Sequence, residues 1–299
     1  GKCLCVGFSG VRGTLKLSAG GEEAPYPAEA GGWCHAWDRE AHPLCKGGGG
    51  EAWCGQAWCY VDPCDCDLPV PPKTSAYAPG ATFRGRPVYY SYATCGASDS
   101  FTEKHHAGAC ANQRSREACS ASEGCAWDGG RCLGKELLST CDAPRDPWVA
   151  GFQGCRCIGI AGLPGTLSTG HAEGLPDSLP ADVGSSCKAW DEGVHAECRG
   201  GGHRPDWCGQ KWCFVDPCSC TLPDETPPKV SGYFPDARFQ NRPLYYSYGT
   251  CHAGVKDTYT EEHSPDACVG QKSRGECEAK PKCAWSKGRC LGKEVAGMC

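Results

Sequence analysis

Apolar residues in this chain come in short bursts separated by Gly, Pro and charge, and each burst carries its own prediction. Trp58-Cys-Tyr-Val61 and Val88-Tyr-Tyr-Ser-Tyr92 gather aromatic and β-branched residues, which predicts short strands. Alternation then turns Tyr90 away from Tyr89 and Ser91, so only part of that tyrosine set is expected inside. Asp62-Pro63 and Asp216-Pro217 read as turn starts, because Pro fixes its own φ. Residues 115–119 and 273–277 read as short helices opened by Ser115 and Ser273, with Cys119 and Cys277 facing inward. In an extended Cys-x-Cys both sulfurs lie on one face, so Cys64 and Cys66 are placed to anchor one strand to two neighbours. The Pro-rich runs 68–73 and 222–229 predict extended spacers that divide each half into two lobes. Residues 7–32 and 159–186 share little beyond Gly, Pro and small side chains, and are expected to be loops. No apolar stretch is long enough for a signal peptide or a membrane span. With Gly1 first, the expectation is a mature form whose targeting segment is removed or not shown.

The cysteines organise the chain. Cys3, Cys5, Cys34, Cys45, Cys54, Cys59, Cys64, Cys66, Cys95, Cys110, Cys119, Cys125, Cys132 and Cys141 are followed, in the same order, by Cys155, Cys157, Cys187, Cys198, Cys208, Cys213, Cys218, Cys220, Cys251, Cys268, Cys277, Cys283, Cys290 and Cys299. The offset between partners grows from 152 to 158 by small insertions only. That predicts two tandem cysteine-rich modules, 1–141 and 155–299, joined by a connector at 142–154 whose prolines and glycines argue against helix or strand. Three blocks agree closely between the halves: Trp53–Cys66 with Trp207–Cys220, Arg86–Cys95 with Arg242–Cys251, and Cys125–Glu136 with Cys283–Glu294. Seven bridges inside each module use every cysteine, although spacing alone leaves a crossed arrangement open.

Composition explains why such a framework is needed. Leu, Val, Ile and Phe together supply 37 of 299 residues, too few for burial alone to offset conformational entropy. Yet the net charge is only -5 and there are 10 Trp and 11 Tyr, which does not fit disorder. With 28 Cys the chain is about 9% cysteine, the range of disulfide scaffolds, and disulfides persist in oxidising compartments. The fold class expected is small, disulfide-rich, mostly β and irregular with short helices. Mixed charges and a pI of about 6.0 give no basic face for nucleic acid, and no membrane insertion is expected.

The segment Asn112–Cys132, with its copy at 270–290, places a Cys, a Cys-x-Trp and a further Cys after a Gly-rich turn. In this it resembles plexin–semaphorin–integrin cysteine-rich modules, over roughly thirty residues per repeat. The resemblance implies a spacer-like extracellular piece and carries no activity. In overall style the chain is similar to cysteine-rich surface and fibre proteins of protists and algae.

Chemistry-bearing motifs are scarce. There is no Gly-x-Ser-x-Gly, no His-Glu-x-x-His, no phosphate-cradling Gly loop and no Cys-x-x-Cys, so neither an enzyme nor a redox role is expected. Disulfides are expected to use the cysteines, leaving no metal and no cofactor. His42, His105, His195 and His263 read as surface or turn residues, and Asp38, Asp62, Asp191 and Asp216 as turn and capping carboxylates. The binding candidates are aromatic: Trp53, Trp58, Tyr89, Tyr90 and Tyr92, with Trp207, Trp212, Tyr245, Tyr246 and Tyr248. Filling the thin core around the bridges is their first reading, and stacking on sugar rings or a partner is the second. Asn112 and Asn241 are the only asparagines and neither opens an Asn-x-Ser/Thr acceptor, while Thr74, Ser75, Thr226 and Ser231 are candidate O-glycosylation sites.

These readings point to a non-enzymatic structural protein of the extracellular space or cell surface, a subunit that associates head-to-tail with itself or with other surface proteins and glycans. The first alternative is a secreted bivalent carbohydrate- or protein-binding module. The second is an accessory subunit in the oxidising lumen of a photosynthetic organelle.

Overall fold

The computed structural model describes residues 3–46, 50–68, 70–100, 110–128, 130–142, 147–200, 204–222, 228–251, 268, 271, 273–286 and 288–298. Its longest strands arise where loops were expected. β1 (Arg12–Ala19) and β2 (Glu22–Pro27) form an antiparallel hairpin across Gly20-Gly21. Both glycines carry positive φ, 64° and 90°, the backbone that a tight primed turn demands. Leu15, Leu17 and Ala19 on β1, with Ala24 and Tyr26 on β2, alternate inward against exposed Lys16, Glu22 and Glu23. The period-2 pattern and the Gly-Gly turn were both in the sequence. Low agreement between the halves hid them.

The expected strands form at β3 (Cys59–Val61) and β7 (Tyr89–Ser91), with β4 (Lys73–Thr74) added on the far side of β7. Between β4 and β7 lies a short hairpin, β5 (Thr82–Phe83) and β6 (Arg86–Pro87). Tyr90 sits opposite both Tyr60 and Lys73. Nearer the end of this half, β8 (Cys125–Asp128) and β9 (Arg131–Gly134) make a two-stranded ribbon.

The second half repeats the plan. β10 (Ile160–Ala161) precedes β11 (Gly165–Ser168) and β12 (Ser178–Pro180). β13 (Cys213–Val215), β14 (Lys229–Val230) and β17 (Tyr245–Ser247) form the counterpart three-stranded sheet, with β15 (Arg238–Phe239) and β16 (Arg242–Pro243) as its small hairpin. β18 (Cys283–Ser286) and β19 (Arg289–Gly292) close it.

The halves are interlocked. One four-stranded sheet runs β12-β11-β1-β2, so its centre pairs a strand from each half. That pairing needs Gly13 and Gly165, both at φ 133°, because a Cβ at Gly13 would lie 2.1 Å from the Thr166 carbonyl oxygen. The reciprocal Cβ at Gly165 would lie 2.2 Å from the Thr14 carbonyl oxygen. β10 extends the first-half β5–β6 hairpin, while Ser9 pairs with Arg238 of β15 through N–H···O bonds of 2.9 and 2.7 Å. Phe8 packs edge-on to Phe214 and Phe239. A single apolar cluster accordingly joins Leu15, Leu17 and Tyr60 to Ile158, Phe214 and Leu244.

Thirteen disulfides are described, and each joins cysteines of the same half. Cys218 is bridged as well, and Cys299 lies outside the described residues. Cys64 and Cys66 do reach two separate segments, at Cys141 and Cys3. They do so from a one-turn helix at Pro63–Asp65 and not from a strand, because the Asp62 carboxylate accepts the Cys64 N–H and winds the chain. The helices at Arg116–Ala121 and Arg274–Glu278 start at Ser115 and Ser273 as expected, and Cys119 and Cys277 are fully buried. In the expected connector, Pro147–Ala150 is a helical turn, which Pro at its first position favours. The Val149 and Ala150 carbonyls accept the Cys187 and Cys157 N–H groups, tying that turn to the second half. No helix among the described residues is long and apolar enough to cross a membrane.

Candidate functional site

Each half buries a carboxylate under aromatic rings. Asp38, 1% exposed, opens the short helix Asp38–Ala41, yet its side chain caps nothing. One oxygen accepts the Tyr26 hydroxyl at 2.9 Å and the Tyr77 hydroxyl at 2.6 Å, and the other accepts the Trp58 indole N–H at 2.7 Å. Asp191, 2% exposed, accepts the Trp212 indole N–H at 2.8 Å, the Tyr248 hydroxyl at 3.2 Å and the Tyr233 hydroxyl. This corrects the expectation of turn carboxylates. No cation lies within ion-pair distance of either group among the described residues. Burial pushes both carboxyls above their ordinary range, and the three donors around each only partly counter it. The same burial drives Tyr77, Tyr92 and Tyr248 upward, so these phenols stay protonated.

Strand geometry sets the rings around each carboxylate. Tyr90 and Tyr246 sit mid-strand on the half-exposed face of β7 and β17, while Tyr92 and Tyr248 follow two residues on, on the same side. Ser75 and Ser231 each accept the N–H of the residue two further on at 3.2 Å, turns that aim Tyr77 and Tyr233 inward. The rings meet edge-on: Trp212 with Tyr233 at 5.4 Å and 87°, Trp212 with Tyr246 at 5.8 Å and 66°, Tyr246 with Tyr248 at 5.8 Å and 86°. The first half repeats this with Trp58, Tyr77, Tyr90 and Tyr92. A cavity of about 410 Å³ opens beside Asp191, bounded also by His195, Glu173 and Lys229. Its counterpart beside Asp38 is about 130 Å³.

Six of the ten aromatic candidates therefore line cavities: Trp58, Tyr90, Tyr92, Trp212, Tyr246 and Tyr248. The other four line neither of these two. Trp53 and Trp207 are sealed against the Cys45–Cys54 and Cys198–Cys208 bridges, and Tyr89 and Tyr245 face the sulfur-rich clusters behind the sheets. Asp38, Asp191, Tyr77 and Tyr233 complete the boxes. The shared Ser-x-Tyr at 75–77 and 231–233 was the signal for the tyrosines.

His42 and His195 are turn residues as expected, each capping a one-turn helix, but they are buried and not on the surface. Each accepts a backbone N–H two residues on, from Leu44 and Glu197, and lies edge-on to Trp53 or Trp207. His105 and His263 lie outside the described residues. Asp62 and Asp216 do start turns, through the Cys64 and Cys218 N–H groups, and also meet Arg84 and Arg242 at 3.3 Å. Among the proposed sugar acceptors, Ser231 is buried, Thr74 is exposed and Thr226 lies outside the described residues.

Two groups of four cysteine sulfurs, at Cys5, Cys34, Cys59 and Cys95 and at Cys157, Cys187, Cys213 and Cys251, each lie within 4.8 Å of one another, a spacing that suits a metal. Each group is two bridges side by side, Cys5–Cys59 with Cys34–Cys95 and Cys157–Cys213 with Cys187–Cys251. Bridged sulfur has no thiolate to offer. No protein-family model, curated protein or solved structure matches the chain.

Proposed function

We propose that this protein is a non-enzymatic recognition protein of an oxidising extracellular or lumenal space, with one small-ligand pocket in each half. The observation that carries the reading is the repetition of a buried carboxylate inside an aromatic box, with no cation in ion-pair reach among the described residues. An uncompensated buried charge is costly, and such groups are retained where they serve a site. The larger cavity falls in the usual range for ligand pockets.

The expected structural subunit draws on the same cross-linked frame. Self-association by extending the shared sheet finds little support at its edges. β2 carries Pro25 and Pro27, which lack the N–H, next to Glu22 and Glu23, and β12 ends at Pro180. Proline and charge at an edge strand block further pairing. Binding is tested by titrating the oxidised protein with mixtures of sugars, amines and organic acids while following tryptophan fluorescence. A saturable change that Tyr246→Leu removes supports the reading. A flat response to every class refutes it.

A further inference from the structure

Resting on the recognition reading above, we propose that the cavity beside Asp191 takes the positively charged head of an organic ammonium compound, quaternary or methylated. Three independent features favour a cation. First, both Asp191 oxygens are already engaged by neutral donors, Trp212 Nε1 and the hydroxyls of Tyr233 and Tyr248. Those bonds hold the carboxyl in place and bring it no counter-charge.

Second, the walls form a box. Trp212, Tyr233, Tyr246 and Tyr248 all line the one cavity and stand at steep angles to one another, so the rings bound it from several directions. Sugar rings favour a broad flat platform ringed by spare hydrogen-bonding groups, and here the polar atoms of the base are consumed internally. Aromatic walls on several sides of a carboxylate suit a compact cation that needs no hydrogen-bond partner.

Third, the rim already holds an ammonium against a ring. Lys229 lies opposite Tyr246 across the β14–β17 ladder and places Nζ 6.0 Å from that ring's centroid. Among the described residues Lys229 is the one Lys or Arg at the cavity, against the carboxyl groups of Asp191 and Glu173. The counterpart cavity beside Asp38 is about a third as large and is expected to bind the same probes more weakly.

The test titrates the full, oxidised chain with tetramethylammonium, choline and methyl glucoside, with sodium chloride matching ionic strength, reading tryptophan fluorescence and heat. Saturable binding of the two ammonium probes, absent for the glucoside, is expected. Asp191→Asn should weaken it by about tenfold or more. Tyr246→Phe, which keeps the ring face, should bind like the parent, and Tyr246→Leu should lose binding, with circular dichroism confirming that both fold. Glucoside binding without ammonium binding overturns the ligand class and leaves the recognition reading standing. Failure of every probe overturns the ligand class, and the recognition reading falls with it only if the organic acids also leave the fluorescence flat. Undiminished ammonium binding by Asp191→Asn, if folded, overturns the assignment of the site.

Discussion

In each half a buried carboxylate is held by three neutral donors with no cation in ion-pair reach among the described residues, and its replacements should behave unequally. Asp38→Ala leaves Tyr26, Tyr77 and Trp58 without an acceptor and is expected to cost about 2–4 kcal/mol, whereas Asp38→Asn keeps the shape and costs under about 1.5 kcal/mol, both read from denaturant midpoints. The pH dependence follows from the direction of the shift. Both carboxyls are raised above 3.8, so the folded chain holds these protons more tightly than the unfolded one. Their favourable contribution is full below the ordinary value and is lost as pH rises through the raised one. Acidifying from neutrality should therefore move the parent's stability upward relative to the Asp38→Asn, Asp191→Asn double variant. A gap that stays constant with pH would contradict the burial argument. The tyrosines carry the same sign at the alkaline end. Tyr26, Tyr60, Tyr77, Tyr92 and Tyr248 are all raised above an ordinary value of 10.0, so their stabilising contribution is present below that value and lost above it. An ultraviolet titration should show these phenols ionising only as the chain unfolds.

At the scale of elements, much was legible where sequence and structure share a local cause. Ser115 and Ser273 start helices because their hydroxyls accept the Ala118 and Glu276 N–H groups, and Glu276 returns a bond to the Ser273 N–H. Ser273→Ala should lower stability by about 1 kcal/mol through loss of that reciprocal cap, measured by thermal unfolding. Alternation likewise put Tyr89 and Tyr90 on opposite faces, and the structure buries the first and leaves the second half-exposed. What escaped was non-local. β1 has the alternation of a strand, but its partner β11 lies about 150 residues away in sequence, and nothing near Gly13 announces that Thr166 will stand against it. The site escaped for the same reason: Asp38 and Tyr77 lie 39 residues apart and meet only because β2, β3 and the turn after β4 converge on the helix at Asp38–Ala41. Gly13→Ala tests the interlock directly. Its Cβ would strike backbone, so a loss of about 2 kcal/mol or more is expected in a denaturant series, while Gly200→Ala, at φ 123° with open space around it, should show backbone strain alone.

Across the whole molecule, the contacts between halves are reciprocal. Ser9 pairs with Arg238 as Ala161 pairs with Thr82, and Gly13 faces Leu167 as Gly165 faces Leu15. This is how two copies of one unit meet about a two-fold axis, each presenting the same patch. Disulfides hold each half internally, while the apolar cluster of Leu15, Leu17, Ile158 and Phe214 belongs to both. A half in isolation would keep its bridges and expose that cluster. Residues 1–141, produced oxidised and alone, are therefore expected to sediment as a dimer in which a second copy supplies the missing strand and the missing Phe8 partner. Gly13→Ala should shift that dimer toward monomer, since the same close approach would recur at its centre. A folded, monomeric half that buries dye-accessible apolar surface as well as the intact chain does would show instead that the interlock is dispensable, and that the bridges alone define each fold.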